Sequence, residues 1–307
     1  MNAYRTADDV GGRLVKPVEG EPRIEPMARP SVGAGQVLIR VATVGMCRTD
    51  LLVADGTIPV AVETVLGHEF SGWIEDVGPG VMSAFAPGTL VAGDPTFPLA
   101  DGRDGFIGVD ADGALRTWIV LPAERVHRAD GLTPRQAAYL EPVTAAMGGL
   151  PIAMERGGRG AVIGDNRIAT LTSAVLSSFG VAHETLTLDE LEARPGCSFE
   201  WLLEARLSDR LLDVAMSRLV AGGALILKSR HLERASFPVR DMVLKRISLI
   251  GMTRSGFPEA MSWIQDNVDT VEALLGDRHP LDEWRRAFLQ AETGEGRKVF
   301  VDIAGDA

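Results

Sequence analysis

The sequence predicts an α/β protein in which a β-rich first part is followed by a doubly wound parallel sheet. Short β-branched runs separated by Gly and Pro turn signals fill the chain before residue 133, a pattern typical of antiparallel strands in a partial barrel. From Gly160 onwards, apolar strand-like runs alternate with helical segments. Such alternation predicts a parallel sheet with helices on both of its faces.

Several short strands are predicted in the first part. The clearest covers residues 36–45, which are rich in β-branched side chains, and it delivers Cys47 to the turn that follows. The same reasoning predicts strands at 70–77, 88–93 and 117–122. Residues 1–35 contain many Pro and Gly residues, so an irregular lead-in is expected there, most clearly over 19–30.

A helix start marks the change of character near residue 133. Thr133 is suited to the N-cap, Pro134 to the first helical position, and Gln136 completes a capping box. This helix is expected to run to Glu141 or just beyond it, and a further apolar helix is expected over 143–154.

The second part reads as buried strands joined by helices. Strands are predicted at 160–164, 182–188, 199–205, 224–228 and 247–251, with helices at 168–179 and 211–220. A last helix and strand are predicted at 281–291 and 298–303. Parallel strands need helical crossovers, so this order fits a parallel sheet.

Length and charge restrict the function. The 307 residues suggest two domains, and the net charge of −11 argues against nucleic acid or an anionic membrane as partner. No apolar run reaches the roughly 20 residues of a membrane helix, and residues 1–14 lack a secretory apolar region. Because the two cysteines do not make a disulfide scaffold, a reducing cytoplasm is expected.

The stretch from Gly45 to Phe70 contains a candidate metal site. It holds one of the two cysteines, Cys47, and one of the five histidines, His68. Thiolate, imidazole and carboxylate suit zinc, and Glu141 is the candidate third ligand that leaves one coordination position open. A buried free cysteine beside an ordinary loop histidine is the alternative, since one Cys and one His are a weak spacing signal.

The strand–turn–helix at 160–179 stands where a dinucleotide-binding fingerprint would lie. Its turn reads Gly164-Asp165-Asn166-Arg167-Ile168-Ala169. Gly164 allows the tight turn, and Ala169 is an accepted substitute at the third glycine position. Asn166 is the departure, because it puts a side chain where the second glycine lets the backbone approach pyrophosphate. The amides of the helix start could still hold an anion, and Arg167 could add charge.

An acidic residue is expected at the end of the second strand, where it would bind the ribose of NAD. Asp189 fits this place better than Glu184; the alternative is that Asp189 merely caps a helix over 190–193. Few residues separate Asp189 from the strand at 199, too few for a full helix and a further strand. The adenosine side of the sheet is therefore expected to be shortened.

The order of these motifs resembles that of the zinc-dependent medium-chain dehydrogenase/reductase superfamily, in its threonine and polyol dehydrogenase branch. The motifs are Cys-x-Thr-Asp, Gly-His-Glu-Phe-x-Gly, Val-Gly-x-Gly-Val, Glu-Pro and the glycine turn. The likeness implies a GroES-like β-barrel catalytic domain at 1–150, completed by 272–307, and a shortened Rossmann domain at 151–271. Relatives are commonly homodimers or homotetramers, so such an assembly is expected.

The resemblance also implies roles for single residues. Cys47, His68 and Glu141 match catalytic zinc ligands, and Glu69 matches a carboxylate that exchanges with water as a ligand. Thr49 matches the hydroxyl that relays the substrate proton, while Thr144 and Thr253 match positions at the edge of the nicotinamide. Among the cofactor residues are expected Gly164, Asn166, Arg167, Ile168 and Asp189, with NAD favoured over NADP.

Two departures from the family pattern stand out besides Asn166. The stretch 95–104 lacks the four clustered cysteines of the structural-zinc lobe, so one catalytic zinc per chain and no structural zinc is expected. Leu51 and Leu52 occupy the turn where some relatives carry a proton-relay histidine, so the proton needs another exit, through ribose or water.

Three functions are weighed. The first is a zinc-dependent oxidoreductase that transfers hydride between a secondary alcohol, polyol or amino alcohol, or its ketone, and NAD(P). The second, motivated by Asn166, is a redox-neutral zinc lyase, dehydratase or isomerase with Glu69 or Thr49 as acid/base group. The third is a non-catalytic, quinone-reductase-like accessory protein in which Cys47 and His68 are incidental.

The remaining candidates are expected to be structural. The other four histidines are expected in solvated or capping roles: His127, His183, His231 and His279. A basic run after the fourth strand is expected to be a solvated edge, although it could face a phosphate or an acidic substrate: Lys228, Arg230 and Arg234.

Overall fold

A computed structural model describes residues 10–229, 234–293 and 296–303 and divides into two compact units. Unit 1 is Met1–Glu141 with Met261–Ala307, and unit 2 is Pro142–Ala260. The boundaries expected from the sequence lie a little later in the chain at both points. His231 and Arg230 lie outside the described residues.

Unit 1 is built mainly of strands. They are β1 (Val10–Lys16), β2 (Arg23–Ala28), β3 (Gln36–Gly45), β4 (Thr64–Val65), β5 (Glu69–Val77), β6 (Leu90–Gly93), β7 (Thr96–Pro98), β8 (Asp104–Phe106), β9 (Trp118–Pro122), β10 (Val126–Arg128), β16 (Leu275–Pro280) and β17 (Lys298–Asp302). Its helices are α1 (Arg48–Ala54), α2 (Pro134–Ala138), the start of α3 (Leu140–Met147), the end of α9 (Phe257–Asp266), α10 (Val268–Leu274) and α11 (Trp284–Thr293).

Strand β3 is the centre of the seven-stranded sheet of unit 1. The order is β10-β6-β5-β3-β17-β16, and β9 also pairs with β3. Strand β5 runs along one edge of β3, with Gly45 opposite Glu69. On the other edge, the C-terminal end of β3 pairs with β17, with Gly45 opposite Phe300. Three distant chain segments therefore meet beside the C-terminal end of β3.

The expected irregular lead-in over 19–30 is wrong, because β2 lies within it. Strand β2 is the edge of a three-stranded sheet and pairs antiparallel with β1 from Val10↔Ala28 to Val15↔Arg23. Much of it is exposed, and Glu25 on β2 accepts from Arg13 on β1 at 3.0 Å. An exposed edge strand needs no apolar alternation and tolerates Pro26, so β2 has no strand signal at the level of sequence.

The predicted capping box is confirmed: Thr133 Oγ1 accepts from the Gln136 N–H at 3.4 Å, and Gln136 Oε1 accepts from the Thr133 N–H at 2.8 Å. The helix nevertheless ends at Ala138, so the expectation that it reaches Glu141 is wrong. Glu141 lies in the first turn of α3, a separate helix. Pro142 explains the break, because proline has no N–H to bond the preceding turn and is tolerated only at a helix start.

Unit 2 holds the predicted parallel sheet. Its strands are β11 (Gly160–Ile163), β12 (His183–Leu186), β13 (Phe199–Glu204), β14 (Leu219–Leu227) and β15 (Ser248–Gly251), in the order β12-β11-β13-β14-β15. The helices are the rest of α3, α4 (Leu150–Arg156), α5 (Arg167–Ser178), α6 (Leu188–Glu192), α7 (Asp209–Arg218), α8 (Val239–Lys245) and the start of α9.

The sheet of unit 2 is short on one side, as predicted. Among the described residues, β12 is the last strand beyond β11, and α6 leads directly to β13. Unit 2 has two apolar cores, one containing Leu202 and Leu225 and the other containing Trp201 and Ile226. Alternate side chains of β13 and β14 are therefore buried by different sets of helices. Across the described parts of both units, no helix has the length and apolar character to cross a membrane.

Candidate functional site

Cys47 lies just beyond the end of β3 and is the N-cap residue of α1. The preceding residue, Met46, is fully buried and donates its N–H to the Val299 carbonyl at 2.8 Å, which ties this turn to β17. Thr49 follows in the first turn of α1, with its Oγ1 3.8 Å from the Cys47 Sγ. Both side chains are partly exposed, so the thiol and the hydroxyl form one accessible pair.

His68 and Glu69 enter the site at the start of β5, and both are 2% exposed. Gly67 makes this entry possible. Its φ of +92° is disfavoured for other residues, and a Cβ there would lie 2.9 Å from the backbone N of Leu115. The position therefore requires glycine, and the sharp turn brings His68 towards Cys47.

Cys47, His68 and Glu69 form a group suited to a metal ion. One potential ligand atom from each residue lies within 4.8 Å of the other two. Glu141, expected as third ligand, is not part of this group, although it is largely buried and its charge raises the pKa of Glu69. Glu141 is therefore close enough to act electrostatically, and its role as a ligand stays a prediction.

Asp50 holds the two ligand segments together. One carboxylate oxygen accepts from the Cys47 N–H at 2.9 Å. The other lies 3.2 Å from the Gly67 N–H and 3.2 Å from the His68 Nδ1. A proton on Nδ1 leaves Nε2 with its lone pair, the form in which imidazole binds metals, and such carboxylate–histidine pairs recur around protein metal sites.

The charges around His68 act on its protonation. Burial alone would lower the pKa of this imidazole, but Asp50 and Cys47 outweigh burial and raise the pKa well above its usual value. Burial likewise opposes the ionisation of Asp50, yet the interaction with His68 keeps the pKa of Asp50 below its usual value. The metal-free site thus favours a proton on the ring, and zinc would compete with that proton.

Lys298 adds a buried cation to the site. Its Nζ contacts Glu69 Oε2, and both side chains are almost fully buried. Burial raises the pKa of Glu69, Lys298 opposes that rise, and Glu141 adds to it. Gly45 leaves the room for the pair, since a Cβ there would come within 2.7 Å of Lys298 Cε and 2.9 Å of Glu69 Oε2.

The donor set fits zinc. A sulfur, an imidazole nitrogen and a carboxylate oxygen are its usual protein ligands, and three ligands leave a position for a substrate oxygen. The carboxylate hydrogen-bonded to His68 supplies the outer support that such ligands need. No similar group of three potential ligand residues occurs elsewhere in the ranges that the structure describes.

The turn between β11 and α5 lies where the dinucleotide-binding fingerprint is expected, but its amides are already hydrogen-bonded. Gly164 follows β11 with φ +150°, and a Cβ there would lie 3.1 Å from that of Ala205 and 3.3 Å from that of Ala169. Asn166 is the N-cap of α5, and its Oδ1 accepts from the N–H groups of Ile168 and Ala169, each at 3.0 Å. The helix-start amides expected to face a pyrophosphate therefore already have a partner.

Asp189 is an exposed helix residue. The N-cap of α6 is Thr187, which makes a capping box with Glu190, so Asp189 itself does not cap the helix. Its carboxylate accepts from Arg210 at 2.7 Å, and 82% of the side chain is exposed. A cleft of about 290 Å³ lies beside it, at the ends of β11 and β12, and is lined among others by Thr187, Arg206 and Ser208.

The other cofactor candidates lie in unit 2. Arg167 is the first helical residue of α5 and is half-buried. Thr253 follows β15, and its carbonyl packs on Gly148, where a Cβ would come within 1.7 Å. The Thr144 carbonyl accepts from the Ser255 N–H at 2.9 Å, so the loop after β15 is fastened to α3. Their roles towards a cofactor stay predictions.

The remaining histidines that the structure describes do not join the metal group. His183 Nε2 lies 2.8 Å from Ser173 Oγ. His279 is buried in β16 and bonds Gln290 at 2.7 Å, so the expected solvated or capping role is wrong for it.

Sequence reasoning missed Asp50 and Lys298 as parts of the site. The sequence does contain a signal for Asp50, since an acidic residue three positions after a helix N-cap commonly bonds back to the cap. Lys298 had no such signal, because its contact with Glu69 depends on both β5 and β17 flanking β3.

Residues 33–131 match the model of the alcohol dehydrogenase GroES-like domain. The chain is 24% identical to a sorbitol dehydrogenase of Halalkalibacterium halodurans, over 91% of this chain and 94% of the relative. It is 27% identical to an L-threonine 3-dehydrogenase of Streptomyces coelicolor, over 89% of this chain and 93% of the relative.

Solved structures with the same fold include two with bound dinucleotides. A putative zinc-binding dehydrogenase from Sinorhizobium meliloti 1021 bound to NADP has a TM-score of 0.84 at 19% identity, over 95% of this chain and 99% of that one. A protein described as a short chain alcohol dehydrogenase from E. coli CFT073, complexed with NADH, has a TM-score of 0.82 at 20% identity, over 96% of this chain and 99% of that one.

Proposed function

Because the chain belongs to the medium-chain dehydrogenase/reductase superfamily, we propose that it is a zinc-dependent, alcohol dehydrogenase-like oxidoreductase. The observation that carries this proposal is the convergence of Cys47, His68 and Glu69 within 4.8 Å, with Thr49 beside the thiol. The substrate is a secondary alcohol, polyol or amino alcohol, or the matching ketone. Relatives named sorbitol and threonine dehydrogenases support this class.

Cys47 and His68 would hold the zinc, with Glu69 or Glu141 as the carboxylate ligand. When bound, zinc supplies a Lewis acid that polarises the substrate oxygen and favours the alkoxide. Asp50 fixes His68 through Nδ1, so the ring presents Nε2 to the group. Lys298 compensates the charge of Glu69 and holds that side chain beside the ligands.

Thr49 handles the proton. Its Oγ1 lies 3.8 Å from the Cys47 sulfur, in the partly exposed part of the site. A substrate hydroxyl near the thiolate can donate to this oxygen and pass its proton onwards, which is the positioning that general acid–base catalysis requires. His68 and Glu69 are buried behind it, so solvent reaches the group from the side of Cys47 and Thr49.

A nicotinamide dinucleotide is the expected redox partner, and unit 2 accommodates it only in part. The cleft at the ends of β11 and β12 offers space for a nucleoside, but the amides of Ile168 and Ala169 are bonded to Asn166. The residues present do not fit a pyrophosphate bound in the usual way. NAD is expected over NADP from Asp189, and assembly into homodimers or homotetramers is expected as well.

A redox-neutral zinc lyase, dehydratase or isomerase is the second candidate. The Asn166 hydrogen bonds favour it, because a chain that dispenses with the dinucleotide has no use for open amides at that helix start. Thr49 or Glu69 would then transfer protons to and from a carbonyl or hydroxyl substrate.

Metal content and activity measured together test the proposal. The purified chain is expected to carry one zinc and to oxidise secondary alcohols or polyols with NAD⁺ or NADP⁺. Cys47→Ser should lose zinc and turnover, whereas Cys197→Ser, at the exposed second cysteine, should keep both. An active, zinc-free Cys47→Ser protein would refute the assignment, and zinc-dependent turnover without dinucleotide would favour the second candidate.

A further inference from the structure

The side chain of Asn166 bridges two elements of unit 2. Its Oδ1 accepts from two successive amides of α5, and its Nδ2 donates to the Ala205 carbonyl at 3.1 Å. Ala205 follows β13, the neighbour of β11 in the sheet. The amide side chain is thus fixed at both ends, from the helix start to the end of the adjacent strand.

The N–H groups at a helix start form an anion site because they have no partner within the helix. At α5 fewer of these N–H groups are available to an anion, since Ile168 and Ala169 donate to Asn166 Oδ1 at 3.0 Å each. The next amide, Thr170, donates to the Asn166 backbone carbonyl at 3.1 Å. A phosphate can use the amides of Ile168 and Ala169 only after the Asn166 side chain has left.

The turn beside the side chain and the acceptor of its Nδ2 are both fixed. Gly164 packs so closely that a Cβ there would meet both Ala205 and Ala169 at 3.1 and 3.3 Å, and the Asn166 Nδ2 at 3.5 Å. The Ala205 N–H is itself bonded to the Ile163 carbonyl at 2.9 Å, so the acceptor of Nδ2 is fixed to β11. Displacement of Asn166 therefore requires all three of its hydrogen bonds to break.

From these contacts we infer that Asn166 is a built-in plug of the dinucleotide site, which weakens NAD(H) and NADP(H) binding until its side chain leaves the helix start. The inference rests on the proposed function and concerns the same cofactor. The nucleoside cleft, with Thr187, Arg206 and Ser208 along it, stays available while the plug is in place. Asn166 is thus an affinity-determining residue of the cofactor site.

The inference gives a gain-of-function experiment. Asn166→Gly removes the plug and costs the helix little, because glycine is itself an acceptable N-cap. The matched control is Asn267→Gly at the start of α10, where the asparagine makes no side-chain cap and bonds Trp263 instead. Each variant is purified as the full, zinc-loaded chain, and its folding is checked by circular dichroism and thermal melting.

The readout is the dissociation constant of NADH and of NADPH from isothermal titration calorimetry. Without the competing hydrogen bonds of the Asn166 side chain, the Asn166→Gly variant should bind each dinucleotide at least about tenfold more tightly than the unaltered protein. The Asn267→Gly variant should bind as the unaltered protein does. Asn166→Asp, which keeps the cap and adds a negative charge near the phosphates, should bind more weakly than the unaltered protein.

Two outcomes would overturn the inference in distinguishable ways. If the unaltered protein and Asn166→Gly bind equally tightly, the plug is refuted and the oxidoreductase proposal stands. If neither binds either dinucleotide, opening the turn has failed to restore the site, and the redox part of the proposed function fails with the inference. Zinc content, measured on the same samples, reports on the metal centre separately.

Discussion

The two helix starts at Cys47 and Asn166 differ in what their first side chains do. At α1 the Cys47 sulfur lies among the ligand atoms of His68 and Glu69, and a later residue, Asp50, bonds back to the Cys47 N–H. At α5 the Asn166 side chain bonds the amides of its own helix. The N-cap residue of a helix therefore belongs to the candidate metal group in one unit and occupies the amides of its own helix in the other.

The position of a residue within a motif therefore does not decide its role. Cys47 and Asn166 both stand where the family places functional groups, but their side-chain contacts separate them. At the candidate metal group, the buried side chains have polar partners: Asp50 contacts His68, and Lys298 contacts Glu69. Near Asn166 the backbone amides and the Ala205 carbonyl are its partners, so the side chain serves the fold.

The largest effect is expected from the buried ion pair. Lys298→Met leaves Glu69 buried without its cation, and breaking such a pair by removing one partner costs about 3–5 kcal/mol of unfolding free energy. Urea unfolding of the metal-free protein measures this cost. The double variant Glu69→Gln/Lys298→Met should lose clearly less than the sum of the single changes, since both charges are gone. Strictly additive losses would show that the pair is not coupled.

A smaller effect is expected at the residue that joins the ligand segments. Asp50→Asn keeps the size of the side chain but removes the charge beside His68 Nδ1, and loss of such outer support typically weakens metal binding about 10–100-fold. Competition with a chromogenic chelator measures the zinc affinity. Asp55→Asn is the control, because the Asp55 carboxylate, at the other end of α1, accepts only from the Thr57 N–H among the contacts described. Equal affinities of the two variants would contradict the role of Asp50.

The third effect is a dependence on pH. In the metal-free protein the pKa of His68 is raised and that of Asp50 is lowered, so their mutual stabilisation is greatest between the two values. It is lost as pH falls through the pKa of Asp50 and as pH rises through that of His68. Zinc must displace the His68 proton, so its contribution to stability should grow as pH rises.

Thermal melting with and without zinc over a pH series checks this sign. The rise in Tm caused by zinc should be larger near pH 8 than near pH 6, because the proton that zinc must displace from His68, whose pKa is raised, is held more firmly at the lower pH. Cys197→Ser should show the same trend. A zinc effect that is constant, or that grows towards acid pH, would mean that protons on His68 do not compete with the metal.

Local patterns predicted much of the fold. The strand over 36–45, the Thr133 capping box and the strand–helix alternation of unit 2 all come from neighbouring residues, and the structure confirms them. The edge strand β2 and the early helix end before Glu141 were missed. In the first case exposure removes the apolar alternation; in the second a single proline outweighs a continuous apolar pattern.

Residue types alone predicted part of the candidate site, but not the contacts that depend on strand pairing. Cys47, His68 and Glu69 stand near one another in the sequence and have side chains that bind metals. The contact between Glu69 and Lys298 joins opposite ends of the chain through the pairing of β3 with β5 and β17, which no local pattern contains. The sequence likewise marked Asn166 as unusual, but the bond to Ala205 depends on the sheet order.

Cobalt(II) substitution is the sharpest test of a metal centre built on Cys47, since a thiolate bound to cobalt gives a charge-transfer absorption that other ligands do not. We expect one cobalt per chain with this absorption in the unaltered protein and in Cys197→Ser, and loss of the absorption in Cys47→Ser. Cobalt bound without the thiolate absorption, or an absorption that survives in Cys47→Ser, would contradict a metal centre built on Cys47 and His68.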